Sequence, residues 1–171
     1  MNQHFPRVDD RMLREAKVVL RLLQRKKLTL VTAESCTGGL IAAVLSTAPG
    51  AGDSLHGGYV AYTEANKTAV LDVPAALMEE CGTVCGDVAR AMAEGALERS
   101  PADIAIAITG VAGPEPDERG NPVGLMYLAG ARRGAETKIM RRDFPAREAS
   151  NVRYQAVLSA FDLARHVIEA A

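Results

Sequence analysis

The chain has no tryptophan, and aromatic residues make up only 4% of its 171 positions. Without such stacking platforms a single-stranded nucleic-acid surface is not expected. Neither sign of charge dominates: 20 Lys and Arg stand against 21 Asp and Glu, a net charge of −1. No field that would gather nucleic acid or an anionic membrane is therefore built in. No apolar run approaches the roughly 20 residues of a membrane helix, and the opening "MNQHFPRVDDRM" holds no apolar stretch of the secretory-signal kind. A cytoplasmic protein with neither membrane nor nucleic-acid partner is the expectation. The three cysteines, Cys36, Cys81 and Cys85, are an odd number in a chain long enough to bury its own core, and reduced thiols are the simplest reading. The three histidines are scattered, so a four-ligand zinc site is not expected, nor is any other metal or cofactor. What remains, 48% apolar and 24% charged, is an ordinary globular composition.

Residues 1–8 read as a flexible N-terminal tail, with Pro6 near its end. From Asp9 or Asp10 onward, Leu13, Ala16, Val19, Leu20 and Leu23 fall at helical spacing, and Arg25, Lys26 and Lys27 close the segment. "LTLVTA" (28–33) predicts a strand buried on both faces, and "GLIAAVLS" (39–46) a helix of small residues. "APGAGD" is a loop by its Pro and Gly content. A strand over 54–63, a helix over 64–73 and a short helix opened by Pro74 follow. "GDVARAMAEGALERS" predicts an amphipathic helix, and "ADIAIAITG" (102–110) a central strand. After the long loop "VAGPEPDERGNP", two strands pair across Arg132-Arg133-Gly134, and a helix from about Arg147 to Glu169 closes the chain. The mixture predicts an α/β fold, a three-layer α/β/α single domain over residues 9–171 with a mixed, largely parallel sheet.

In such sheets ligands bind at the carboxyl ends of strands, where two Gly-rich loops fall: "ESCTGG" (34–39) and "GVAGP" (110–114). The first runs into a helix N-terminus, which suits an anion. A helix capped by Ser35 or Thr37 explains the same residues equally well. Ser35 and Cys36 are both possible nucleophiles and each needs a base. His56 is the only mid-chain histidine and reads as a strand surface residue. Lys67, in "YTEANK" (62–67), is the other candidate base if burial lowers its pKa from about 10.4; otherwise it is a solvated helix lysine. Tyr62, five residues before it, is placed to orient or relay that proton.

The blocks "AESCTGG" (33–39), "GGYVAYTEANK" (57–67) with the following "LDVP", "CGTVCGDVARAMAEGA" (81–96), "ITGVAGP" (108–114) and "NPVGLMYLA" (121–129) resemble the C-terminal domain of competence/damage-inducible CinA proteins. That domain also occurs alone as nicotinamide-nucleotide amidohydrolase. The resemblance covers nearly all of residues 10–170. It implies deamidation of nicotinamide mononucleotide, with the catalytic set falling on Ser35, Tyr62, Lys67 and Thr109. By the same resemblance Ser35 attacks the carboxamide while neutral Lys67 takes its proton. Amides near Cys36–Gly38 hold the oxyanion. The substrate-binding candidates are Glu34, Cys36, Thr37, Gly38 and Gly39 in the first block and Gly110, Ala112 and Gly113 in the fourth. Arg147 or Arg153 is the candidate phosphate partner.

Three features depart from the family pattern. Glu64 stands where an Asn is usual, Cys85 replaces a serine expected to cap the next helix, and "EPDERG" (115–120) replaces a Gly-rich stretch. The last adds acid beside a site expected to take phosphate. Two other readings stay open: a non-catalytic nucleotide-binding or regulatory module, and a cysteine hydrolase using Cys36. The expected partner is a small-molecule nucleotide substrate, and the apolar helix faces lead us to expect a homo-oligomer.

Overall fold

The computed structural model describes residues 7–145 and 149–170. Helix α1 (Asp10–Lys26) begins where the Asp9 carboxylate accepts a hydrogen bond from the Met12 amide at 2.9 Å. Its buried stripe is Met12, Ala16, Val19, Leu20, Leu22 and Leu23, so Met12 rather than Leu13 fills the first turn. Strand β1 (Leu30–Glu34) follows, then α2 (Leu40–Ser46), a single turn α3 (Ala51–Ser54) inside the segment expected as loop, and β2 (Leu55–Val60). Helices α4 (Glu64–Leu71), α5 (Ala75–Cys81) and α6 (Gly86–Glu98) lead to β3 (Ile104–Gly110). Strands β4 (Leu125–Arg132) and β5 (Lys138–Asp143) and helix α7 (Ala149–Glu169) complete the order.

The five strands lie in the order β2-β1-β3-β4-β5. Strands β2, β1 and β3 are parallel, β4 runs antiparallel to β3, and β5 pairs antiparallel with β4 as the expected hairpin. The alternation of "IAIAI" in β3 builds the two faces. Ile104, Ile106 and Ile108 pack with α1, α2 and α7, while Ala105 and Ala107 face α6 with its own Ala89, Ala93 and Ala96. Large side chains thus fill one interlayer space, each full burial contributing about 1.5–3 kcal/mol. Small ones let α6 lie close on the other side. The result is the α/β/α architecture that the alternation of elements predicts.

Cys81 ends α5 and Cys85 is the N-cap of α6, with Cα atoms 6.2 Å apart and the two sulfurs joined as a disulfide. The expectation of three reduced thiols is corrected at this pair; Cys36 is the free one. The capping role expected at position 85 is present, since the Cys85 Sγ accepts from the Val88 amide at 3.5 Å. No helix among the described residues is long and apolar enough to cross a membrane.

Candidate active site

The carboxyl ends of β1 and β3 lie side by side and open onto a cleft of about 680 Å³. Ser35 is the first residue past β1. Its amide donates to the Ile108 carbonyl at 3.1 Å, and beside it the Ala61 amide donates to the Glu34 carbonyl at 2.9 Å. The backbone on both sides of the serine is therefore tied into the sheet. The turn that follows needs left-handed backbone twice, at Gly38 (φ 62°) and Gly39 (φ 93°), which explains the glycine pair.

What closes this turn is Glu34. Its side chain is fully buried and accepts four hydrogen bonds. One oxygen takes Thr37 Oγ1 at 2.7 Å and the Ile41 amide at 2.9 Å; the other takes Thr32 Oγ1 at 3.1 Å and the Ala42 amide at 2.9 Å. A carboxylate of the protein itself thus occupies the N-terminus of α2, where its charge suits the helix dipole. Of the two readings of "ESCTGG", the capped helix is the one built, with Glu34 in the role expected of Ser35 or Thr37. The Glu34 side chain has no acceptor left to offer a ligand, and Thr37, Gly38 and Gly39 are not among the residues lining the cleft.

Lys67 approaches Ser35 from α4. Thr63 caps that helix by accepting from the Asn66 amide at 3.2 Å, and Asn66 Nδ2 donates to the Val60 carbonyl at 3.0 Å, fixing the helix entry against β2. On this base Lys67 is 1% exposed. Its Nζ lies 2.9 Å from Ser35 Oγ and donates to the Tyr62 carbonyl at 2.9 Å. Burial holds the Lys67 pKa below its ordinary 10.5, while the neighbouring Cys36 and Glu64 work in the opposite direction. The backbone of Tyr62, not its ring, orients the amine. Tyr62 as a whole is 64% exposed and borders the cleft.

The remaining candidates divide. Thr109, Gly110, Ala112, Gly113 and Arg153 line the same cleft. The Thr109 hydroxyl donates to the Thr83 carbonyl at 2.7 Å, which joins β3 to the α5–α6 turn. Arg153, on α7, donates from Nε to the Cys36 carbonyl at 3.0 Å. Arg147 lies outside the described residues. Cys36 also borders the cleft, but its side chain is buried with Sγ 3.4 Å from Met126 Sδ. Burial pushes its thiol up to about 12, so a thiolate is not available at neutral pH. A buried thiol packed against Met126 gives the cysteine-hydrolase reading no support.

Residues beyond the site candidates named from the sequence also form the walls, some of them in the "EPDERG" stretch noted for its acid. Thr83 and Val84 come from the turn that the disulfide closes, and Glu115, Asp117, Glu118 and Arg119 from the β3–β4 loop. Asp117 organises that loop by accepting from the amides of Arg119 (3.0 Å) and Asn121 (2.8 Å) and from Asn121 Nδ2 (2.7 Å). The Arg119 guanidinium donates to the carbonyls of Met78, Glu79 and Glu80 in the last turn of α5, where the helix dipole is negative. The Asp-x-x-x-Asn spacing signals a self-bonded turn, but no pattern in the sequence points Arg119 at α5.

A family model described as CinA C-terminal domain matches residues 13–168. A CinA-like protein of Akkermansia muciniphila is 44% identical over 134 residues, which cover 78% of this chain and 32% of that protein. A CinA-like protein of Synechococcus sp. strain CC9902 is 44% identical over 163 residues, 94% of this chain and 38% of that protein. The chain thus spans about a third of the length of these curated relatives. Among solved structures, the competence/damage inducible protein CihA from Agrobacterium tumefaciens matches with a TM-score of 0.89 at 32% identity, over 98% of this chain and 99% of that one. A competence-damaged protein (CinA) superfamily protein from Escherichia coli matches with a TM-score of 0.86 at 32% identity, over 96% and 99% of the two chains. Because the match runs from α1 into α7 and takes in every strand of the sheet, the chain belongs to the family of CinA C-terminal domains.

Proposed function

We propose that the cleft hydrolyses the ring carboxamide of nicotinamide mononucleotide to nicotinate mononucleotide and ammonia. One observation carries the reading: a buried lysine amine, its pKa lowered, 2.9 Å from the hydroxyl of a serine at a strand end. Neutral Lys67 accepts the Ser35 proton as Oγ attacks the carboxamide carbon, and a tetrahedral oxyanion forms. The C–N bond then breaks, the proton on Lys67 passes to the leaving nitrogen, and ammonia departs from an acyl-enzyme. Water, deprotonated by the same amine, releases the carboxylate and restores Ser35. The amide of Cys36, next to the nucleophile, is suited to the oxyanion, and such a donor supplies about 3–4 kcal/mol of transition-state stabilisation. Gly110, Ala112 and Gly113 bring backbone close to the ribose, and Arg153 is the described arginine on this cleft suited to the phosphate. The exposed Tyr62 ring is available to the pyridine ring as a stacking face.

The test is ammonia release from nicotinamide mononucleotide in metal-free buffer by wild type and Ser35→Ala. Release by the wild type and a loss of about 10³-fold or more in the variant is the expected result; an active Ser35→Ala protein sinks the covalent route. A second reading, a nucleotide-binding regulatory module without catalysis, finds support in Glu64, whose charge works against a neutral Lys67. Nucleotide binding without ammonia release by the wild type selects it.

A further inference from the structure

We infer that the Cys81–Cys85 disulfide is a reversible modification site, where exchange with a dithiol loosens one wall of the cleft and weakens ligand binding. The inference names a regulation of the proposed active site and rests on the amidohydrolase reading for its kinetic readout alone.

The cross-link spans a sequence separation of four, so it closes a short loop and removes little freedom from the unfolded chain. The helices it joins are anchored without it. Helix α6 buries Val88, Ala89, Met92 and Ala93 in the core, and α5 buries Met78 and offers its last carbonyls to Arg119. What the bond governs is the path of residues 82–84 between them, and Thr83 and Val84 on that path are cleft wall. The Thr83 carbonyl accepts the Thr109 hydroxyl at 2.7 Å. Val84 packs in a small cluster with Val111 and Leu125, the two ends of the β3–β4 loop. The serine–lysine pair is held separately. Ser35 is tied to β3 through its amide, and α4 lies so close on α6 at Gly95 that a Cβ there would meet the Leu71 carbonyl oxygen.

Both cysteines are half-buried, so a small dithiol reaches the bond. Cys85 is the N-cap of the 13-residue α6, its Sγ accepting from the Val88 amide at 3.5 Å. A thiolate is stabilised there and is the better leaving group. The incoming thiolate therefore attacks Cys81 Sγ, the disulfide bond breaks, and its electron pair leaves on Cys85 Sγ. The reagent's second thiolate attacks the reagent's own sulfur in the mixed disulfide and frees Cys81. The dithiol ends as a cyclic disulfide, and its two electrons and two protons end on Cys81 and Cys85.

The experiment compares oxidised wild type, wild type treated with dithiothreitol under native conditions, and Cys81→Ser/Cys85→Ser. Thiols are counted by iodoacetamide labelling, the wall is followed by amide hydrogen exchange, and activity by ammonia release from nicotinamide mononucleotide. The treated protein is expected to gain two labelled thiols per chain. Its exchange should quicken about tenfold or more over residues 82–85 and 109–113 while residues 30–35 and 64–71 keep their protection. KM should rise about fivefold, the worth of roughly one hydrogen bond, with kcat within about twofold. Reoxidation should restore every value, and the double variant should match the treated protein with or without dithiothreitol. A bond that dithiothreitol opens only in denaturant overturns the inference. So does a reduced protein whose wall exchange or KM is unchanged, or one that loses protection throughout, since the bond is then a plain structural staple. If no form releases ammonia, the amidohydrolase reading fails on its own, and labelling with hydrogen exchange decides the inference by the same outcomes.

Discussion

The turn after β1 and the loop after β3 stand side by side at one end of the sheet, and both carry glycines, yet they are built in opposite ways. In the first, the polar side chains of Thr32, Glu34 and Thr37 have their partners inside the protein, and a buried carboxylate ties the turn to α2. In the second, an Asp117-centred set of bonds and the reach of Arg119 to α5 hold an exposed, acid-rich segment. Ser35, the proposed nucleophile, sits on the sealed turn, and the exposed carboxylates Glu115 and Glu118 sit on the open loop. A side chain that must be held to within a fraction of an ångström is housed where substitution is costly. The exposed acids are housed where substitution is cheap.

The largest expected effect comes from emptying the place between the two. Lys67→Met removes the proposed base while keeping much of its apolar stem, and ammonia release should fall by about 10²–10⁴-fold. The same variant carries a stability signature. The folded-state pKa of Lys67 is lowered, so the unfolded chain binds more protons between that value and 10.5 and wild-type stability should rise with pH across that window. Denaturant unfolding of Lys67→Met should lack the rise.

Next comes the sealed turn. Glu34→Ala strands two backbone amides and two threonine hydroxyls. At about 1–3 kcal/mol for each buried group left unpaired, a loss of more than about 3 kcal/mol should appear in urea melts. A stability within about 0.5 kcal/mol of wild type would erase the contrast between the two regions.

A smaller effect tests the charge that faces the amine. Glu64 favours protonated Lys67, so Glu64→Asn should move the rising limb of the pH–rate profile to lower pH by a fraction of a unit. An unmoved or raised limb would show that the Glu64 charge does not reach the amine. Smallest is Asp117→Ala on the open loop, where the lost bonds are partly solvated. We expect a loss of about 0.5–1.5 kcal/mol in thermal unfolding.

Much of this was legible beforehand. The stripe of α1 and the Ile/Ala alternation of β3 repeat at the period of their own element, so local spacing reveals them. The four residues of α3 carry no period that a Gly- and Pro-bearing segment could display. The Ser35–Lys67 contact joins positions 32 residues apart. Residue types alone favoured a solvated lysine at position 67, and only the family resemblance paired the two. Glu34, expected as a ligand contact, turns back into its own helix, and in sequence a carboxylate beside two glycines looks the same whether it does so or faces a cleft. The Cys81–Cys85 bond was missed because an odd cysteine count and a chain of this size argue for free thiols, whereas the one-turn approach of α5 to α6 decides the matter in space.

The burial of Glu34 also bears on how the domain assembles. Helix α2 has seven residues, too few to persist alone in water, and an ionised carboxylate is costly to bury until its donors are in place. Strand, turn and helix must therefore form together. A chain that has lost α2 has also lost the position of Ser35, so no partly folded species keeps the Ser35–Lys67 pair in place. Turnover and native helicity should vanish at the same denaturant concentration, which makes catalytic activity a direct gauge of the cooperative native population.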